Sequence, residues 1–106
     1  MPKGEYLGEF EQLILLALLR LGDEGYGMRV RREIMGCTGR KVTIGAVYAT
    51  LERLQAKGLV RSAVGEPSPE RGGRGKRIFV VTGIGTSALR TSQDALRRMG
   101  SGVSIS

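Results

Sequence analysis

The sequence contains no histidine and no tryptophan, a single cysteine (Cys37) and only 5% aromatic residues. Without histidine, the commonest general base and the imidazole metal ligand are both missing. One thiol cannot close an intrachain disulfide. With no His or second Cys beside it, Cys37 completes neither a zinc site nor a nucleophilic pair. No apolar run approaches the ~20 residues of a membrane span, and the first residues lack the charged-then-apolar order of a secretory signal. The glycine-rich stretches GDEGYG and RGGRGK fit neither a Walker loop, which needs Ser or Thr after its Lys, nor a dinucleotide-binding turn. These absences argue against an enzyme, call for no metal or cofactor, and make the cytoplasm the expected location.

What is abundant is positive charge. Seventeen Lys and Arg stand against ten Asp and Glu, a formal +7, with an isoelectric point near 10.3. The excess is uneven: residues 1–24 hold Lys3 and Arg20 against Glu5, Glu9, Glu11, Asp23 and Glu24, so the other 82 residues carry +10. A basic body behind an acidic first helix suits a polyanion-binding surface away from the N-terminus; solubility alone is the plainer alternative. At 106 residues and 41% hydrophobic content, the chain makes one small domain with a core of Leu, Ile and Val. A domain of that size commonly gains stability by dimerising.

The periodicity gives the element order. GEFEQLILLALLRL (8–21) is apolar almost all round, which predicts a helix buried against its own domain and against a partner chain. YGMRVRREIM (26–35) is a second helix, GCTGRK (36–41) a turn, and Thr43 a plausible N-cap for a third helix. Gly58, followed by Leu59, fits the glycine C-cap of that helix. LVRSAV (59–64) and KRIFVV (76–81) are short β-like runs around the Gly- and Pro-rich GEPSPERGGRG, which reads as a hairpin. Thr82 opens a last helix to Met99 with Ile84, Ala88, Leu89, Ala95, Leu96 and Met99 roughly on one side, and GSGVSIS is an expected disordered tail. The expected fold is mostly α with a small β-hairpin: a winged helix-turn-helix over 1–82, a dimerisation helix over 83–99 and a tail over 100–106.

The third helix raises the functional question. Ile44, Val47, Leu51 and Leu54 form its core stripe, yet the opposite side carries Gly45, Ala46, Ala49 and Arg53 where a solvated face usually shows Glu, Lys and Gln. In a helix-turn-helix that side meets DNA, and small residues let the backbone sit deep in the major groove. Arg53 is then a candidate for a phosphate or guanine edge, Thr43 for a phosphate at the helix N-terminus, and Tyr48, on the flank, for the DNA backbone. The bland alternative is an exposed face of small residues without a role. Arg71, Arg74, Lys76 and Arg77, with nearby Arg61, gather on or beside the hairpin. Such a wing suits phosphates or the minor groove; a solvated charged loop is its alternative. Arg40 and Lys41, with Arg29, Arg31 and Arg32, extend the positive field.

Read together, LGEFEQLILLALLRLGDEGYGMRVRREI, TIGAVYATLERLQAKGLVRS and GRGKRIFVVTGIG resemble the PadR family of transcriptional regulators over about residues 5–99. The most specific points are GYG after the first helix, VYATLERLQAKGLV, and the wing running into FVVT. The resemblance implies a winged-helix repressor of the short subgroup that binds a palindromic operator as a homodimer and answers to a small-molecule effector. It implies DNA contacts at Thr43, Gly45, Tyr48 and the wing cations, and at Tyr26 and Gly27, which bring the second helix to a phosphate. The first and last helices would form the dimer through Phe10, Leu13, Leu16, Leu89, Leu96 and Met99. Two departures stand out: Ala49 where the family often has Pro, and TGIG (82–85) where an acidic helix start is usual. The second predicts a weakened first turn of the last helix. Without Trp, an aromatic ligand held between tryptophans is not expected. The rival reading is a winged helix used for protein–protein contact or nonspecific DNA packing.

Overall fold

The computed structural model describes residues 6–67 and 75–105. Helix α1 (Glu9–Leu21) is followed by a 3-10 turn (Gly22–Glu24), α2 (Gly27–Thr38), α3 (Ile44–Ala56), strands β1 (Val60–Pro67) and β2 (Gly75–Val81), and α4 (Gly83–Gly100). This is the expected order. The strands form one antiparallel hairpin, in register from Val60↔Val81 to Val64↔Arg77, with an irregularity before Pro67↔Gly75. Among the described residues no helix is long and apolar enough to cross a membrane.

The core lies where the three-helix unit meets the hairpin base. Ile14, Leu15 and Leu18 of α1, Val30 and Ile34 of α2, Val47, Leu51 and Leu54 of α3, and Phe79 of β2 are all buried. Branched aliphatics fill most of it, as expected from a sequence with two Phe and no Trp. At roughly 1.5–3 kcal/mol for each fully buried side chain of this size, these residues supply most of the drive to fold.

Each helix end has a local cause. Thr43 caps α3, its hydroxyl accepting from the Ala46 N–H at 3.1 Å. Gly58 ends α3 at φ 77°. There the Gly58 N–H donates to the Gln55 carbonyl and the Leu59 N–H to the Leu54 carbonyl, both at 2.9 Å, with Leu54 and Leu59 both buried. Helix α2 runs three residues past its expected end, because Gly36 and Cys37 continue the turn and Gly39, at φ 72°, stops it.

Helix α4 departs most from expectation. Thr82 caps it by accepting from the Gly85 N–H at 3.1 Å, and its own hydroxyl donates to the Gly58 carbonyl at 2.7 Å. Gly85 is buried against the Leu59 carbonyl, where a β-carbon would overlap that oxygen. The TGIG start is therefore a close packing junction, capped at its first turn. The buried stripe is Gly85, Ala88, Leu89 and Ser92, while Ile84, in the first turn, lies 66% exposed. Leu96 and Met99 continue the stripe and are exposed. Gly100 belongs to the helix, and residues 101–105 form a turn and an exposed end.

Candidate nucleic-acid interface

Helices α2 and α3 form the helix-turn-helix, and the turn between them is braced by Arg31, whose Nε donates to the Val42 carbonyl at 2.7 Å. With Val47, Thr50, Leu51 and Leu54 buried, α3 turns Gly45, Ala46, Ala49, Glu52 and Ala56 to solvent. Gly45, Ala46 and Ala49 are expected on this side from their spacing. Glu52 joins them there unexpectedly, and its carboxylate meets Arg77 at 2.8 Å. Arg77 also donates to the Gln55 side chain at 3.0 Å and lies 4.8 Å over the Phe79 ring. One cation thus ties β2 to α3 and neutralises the acid on its outer side. Nothing local in the sequence announces this pair, because its members are separated by α3's end and the whole of β1.

The GYG motif resolves into three packing requirements. The Gly25 carbonyl accepts from the Phe79 N–H at 2.9 Å, and a β-carbon on Gly25 would overlap the Phe79 carbonyl. Tyr26 pairs with Ile78 in an isolated antiparallel bridge, and Lys76 Nζ sits 4.8 Å from the centre of its ring. Gly27 leaves room for Tyr48, whose ring also meets Phe79 edge-on with centroids 6.4 Å apart. The motif therefore fastens the hairpin to the start of α2 and sets Tyr48 at the crevice between α2, α3 and the wing. Tyr48 remains 38% exposed there.

Besides Arg77, two of the expected contact residues, Arg53 and Arg40, are paired within the protein. Arg53 lies at the edge of the small-residue face, where its Nε meets the Glu11 carboxylate of α1 at 3.3 Å. Lys57 meets the same oxygen at 3.0 Å, and Glu11 Oε1 accepts from the Gly8 N–H at 3.0 Å. Burial alone would raise the Glu11 carboxyl, but Lys57, the Gly8 N–H and Arg53 together hold it below the ordinary carboxylate value. The sequence signal for this cluster was the acid three residues after Gly8, at the start of the apolar run. Arg40 pairs with Glu9 at 2.7 Å on the surface. Arg71 and Arg74 lie outside the described residues. Among those described, no group of His, Cys, Asp and Glu could hold a metal ion.

The residues expected at a dimer interface fall into two groups. Leu89 is buried in the protomer's own core, 5% exposed, because α4 packs its first half against the domain, so it is no part of an open face. Phe10, Leu13 and Leu16 are half-buried along the outer side of α1, and Leu96 and Met99 are 66% and 78% exposed.

A helix-turn-helix followed by a hairpin, with α3 lying open beside it, defines a winged-helix protein. Residues 15–91 match the family model described as Transcriptional regulator PadR-like family, and the chain belongs to that family. It is accordingly a transcriptional regulator and not an enzyme. The fold is similar to that of a PadR-like transcriptional regulator from Bacillus cereus, with a TM-score of 0.72, 20% identity, and coverage of 89% of this chain and 86% of that one. F93 from STIV, a winged-helix DNA-binding protein, aligns with a TM-score of 0.69, 19% identity, and coverage of 92% and 98%. The hsRosR-S1 protein, solved as a complex, aligns with a TM-score of 0.66 at 27% identity, covering 90% of this chain and 78% of that one. No curated protein matches the sequence.

Proposed function

We propose that this regulator is a homodimeric repressor that reads a palindromic operator and is released by a small-molecule effector. The observation that carries the DNA site is the open side of α3, where Gly45, Ala46 and Ala49 are exposed, with Glu52 among them and Arg53 at the border. A helix so trimmed enters a groove only about 12 Å wide with its backbone close to base edges. Thr43 and the free N–H groups of the first turn of α3 meet a phosphate at one end. Tyr48, Tyr26 and Gly27 line the crevice beside the wing, and Lys76 and Arg40 add positive charge on either side. Arg71 and Arg74 join them on grounds of sequence and charge alone.

Support for pairing comes from α1 and α4. Leu13 and Leu16 line one groove with Leu96, and Leu19 and Met99 add exposed apolar surface on the same two helices. Two copies joined through it would present two α3 helices to half-sites one helical turn apart. The same region carries an open groove of about 630 Å3, lined by Tyr6, Leu13, Leu16, Ala95 and Leu96 among others. Its size and apolar lining suit a drug-sized effector. A ligand there would act by favouring one arrangement of the two copies over another.

Selection of purified protein against a random duplex library at roughly 150 mM salt tests the reading, because nonspecific binding is weak there. Recovery of a palindrome with half-sites about 10 bp apart is the expected result. Recovery of no motif would move the function toward protein contact or nonspecific packing.

A further inference from the structure

Among the described residues, Glu11 is the one charged side chain buried with the core. Its side chain is 10% exposed, whereas those of its partners Arg53 and Lys57 are 53% and 45% exposed. The ion pairs therefore have one face in the protein and one in water. Arg53 lies one helical turn beyond Ala49, so its guanidinium borders the surface that α3 offers to DNA. A duplex phosphate arriving at that border would compete with Glu11 for the same two cations.

The competition is unequal. Taking both cations from Glu11 would leave a buried carboxylate with the Gly8 N–H as its remaining close partner. An unpaired buried charge costs more than a screened, water-exposed ion contact returns. We propose that Glu11 is an internal counter-anion that withholds Arg53 and Lys57 from DNA phosphates, and so raises discrimination between operator and random duplex. Without it α3 would offer two more cations to phosphates regardless of sequence. Glu11 is a positioning residue here, acting through the two cations. The inference rests on α3 being the DNA-facing helix.

The salt dependence of binding separates this role from a purely structural one. The wild-type chain, Glu11→Gln and the triple variant Glu11→Gln, Arg53→Gln, Lys57→Gln, which removes all three charges, are compared on a random duplex and on the selected operator. Each cation released to a phosphate steepens the slope of log affinity against log salt by about 0.9, so Glu11→Gln should steepen it by between about 0.9 and 1.8. Its affinity for random duplex should rise, and the operator-to-random ratio should fall several-fold. The triple variant should return to the wild-type slope. An unchanged slope in folded Glu11→Gln, or a parallel loss on both duplexes, would overturn the proposal. Should Glu11→Gln fail to fold, the triple variant still decides. A slope shallower than wild type by about 0.9–1.8 would mean the cations already touch DNA. A wild type that binds no duplex even at low salt removes the DNA-facing reading of α3 and this inference together; the other failures remove this inference alone.

Discussion

The Tyr48 ring lies directly on Gly27: a β-carbon at Gly27 would fall 2.5 Å from Tyr48 Cζ and 2.6 Å from its hydroxyl oxygen. The second glycine of GYG and the tyrosine of α3 are therefore one feature, although twenty residues of sequence separate them. Gly27→Ala should push the ring out of its crevice and destabilise the fold by about 1–3 kcal/mol, the usual cost of overpacking. In a Tyr48→Ala background the same change should be neutral or stabilising by up to about 1 kcal/mol, because Ala is the better helix former. Thermal melts of the four variants in this cycle check the coupling.

Backbone oxygens yield less than a tyrosine ring. Gly25 and Gly85 face the carbonyls of Phe79 and Leu59, neither of which can rotate aside. Gly25→Ala and Gly85→Ala should each destabilise more than Gly27→Ala does, by upwards of about 2 kcal/mol. Gly45→Ala, with nothing within 4 Å of the added carbon, is the control and should leave the melting temperature level or higher.

The lowered Glu11 pKa sets an acid limit on stability. A carboxylate whose folded pKa lies below its unfolded value stabilises the fold above the unfolded pKa, and that contribution is lost as pH falls through the folded one. The stability difference between wild type and Glu11→Gln should be fully present near pH 7 and shrink as the pH falls below the ordinary carboxylate value of 4.5. Denaturant titrations at several pH values between about 7 and 3 measure it. A difference that stays level over this range would refute the assignment.

On DNA, Tyr48→Ala should lower affinity for the selected operator more than for random duplex. Replacing Arg71 and Arg74 should weaken both and reduce the salt slope by about one for each phosphate no longer neutralised. Fluorescence anisotropy over a salt series distinguishes the two patterns.

Pairing through the far half of α4 predicts that Leu96→Glu yields a monomer by sedimentation while keeping the wild-type helix content. Ile84→Glu, exposed in the first turn of α4 and about three turns before Leu96, should leave the oligomeric state unchanged.

The order of elements was legible in the sequence because it is written in local signals: the period of Ile14–Leu18, the Thr43 cap, the Gly58 stop and the β-branched runs of the hairpin. The open side of α3 was legible for the same reason, since a face follows from spacing alone. What escaped were contacts between elements. Arg53 looked like a groove residue because nothing in its own helix reveals that Glu11 of α1 waits beside it. Leu89 looked available to a partner because an apolar stripe does not say how far the neighbouring helix reaches. The glycines of TGIG looked like weak helix formers, and the reason for Gly85 is a carbonyl twenty-six residues earlier. Local rules place a residue on a face, and tertiary packing decides what that face meets.

The two ties between the corner before α2 and β2, Gly25 to Phe79 and Tyr26 to Ile78, have a consequence for how such a regulator is retuned. They fix the hairpin at its base, beside the buried Phe79. Doubling the length of a hairpin connection costs only about 0.6 kcal/mol of loop closure. A hairpin anchored at its base can therefore be lengthened at a small entropic cost, and evolution or an engineer can extend the wing's reach while its attachment to the start of α2 stays as it is.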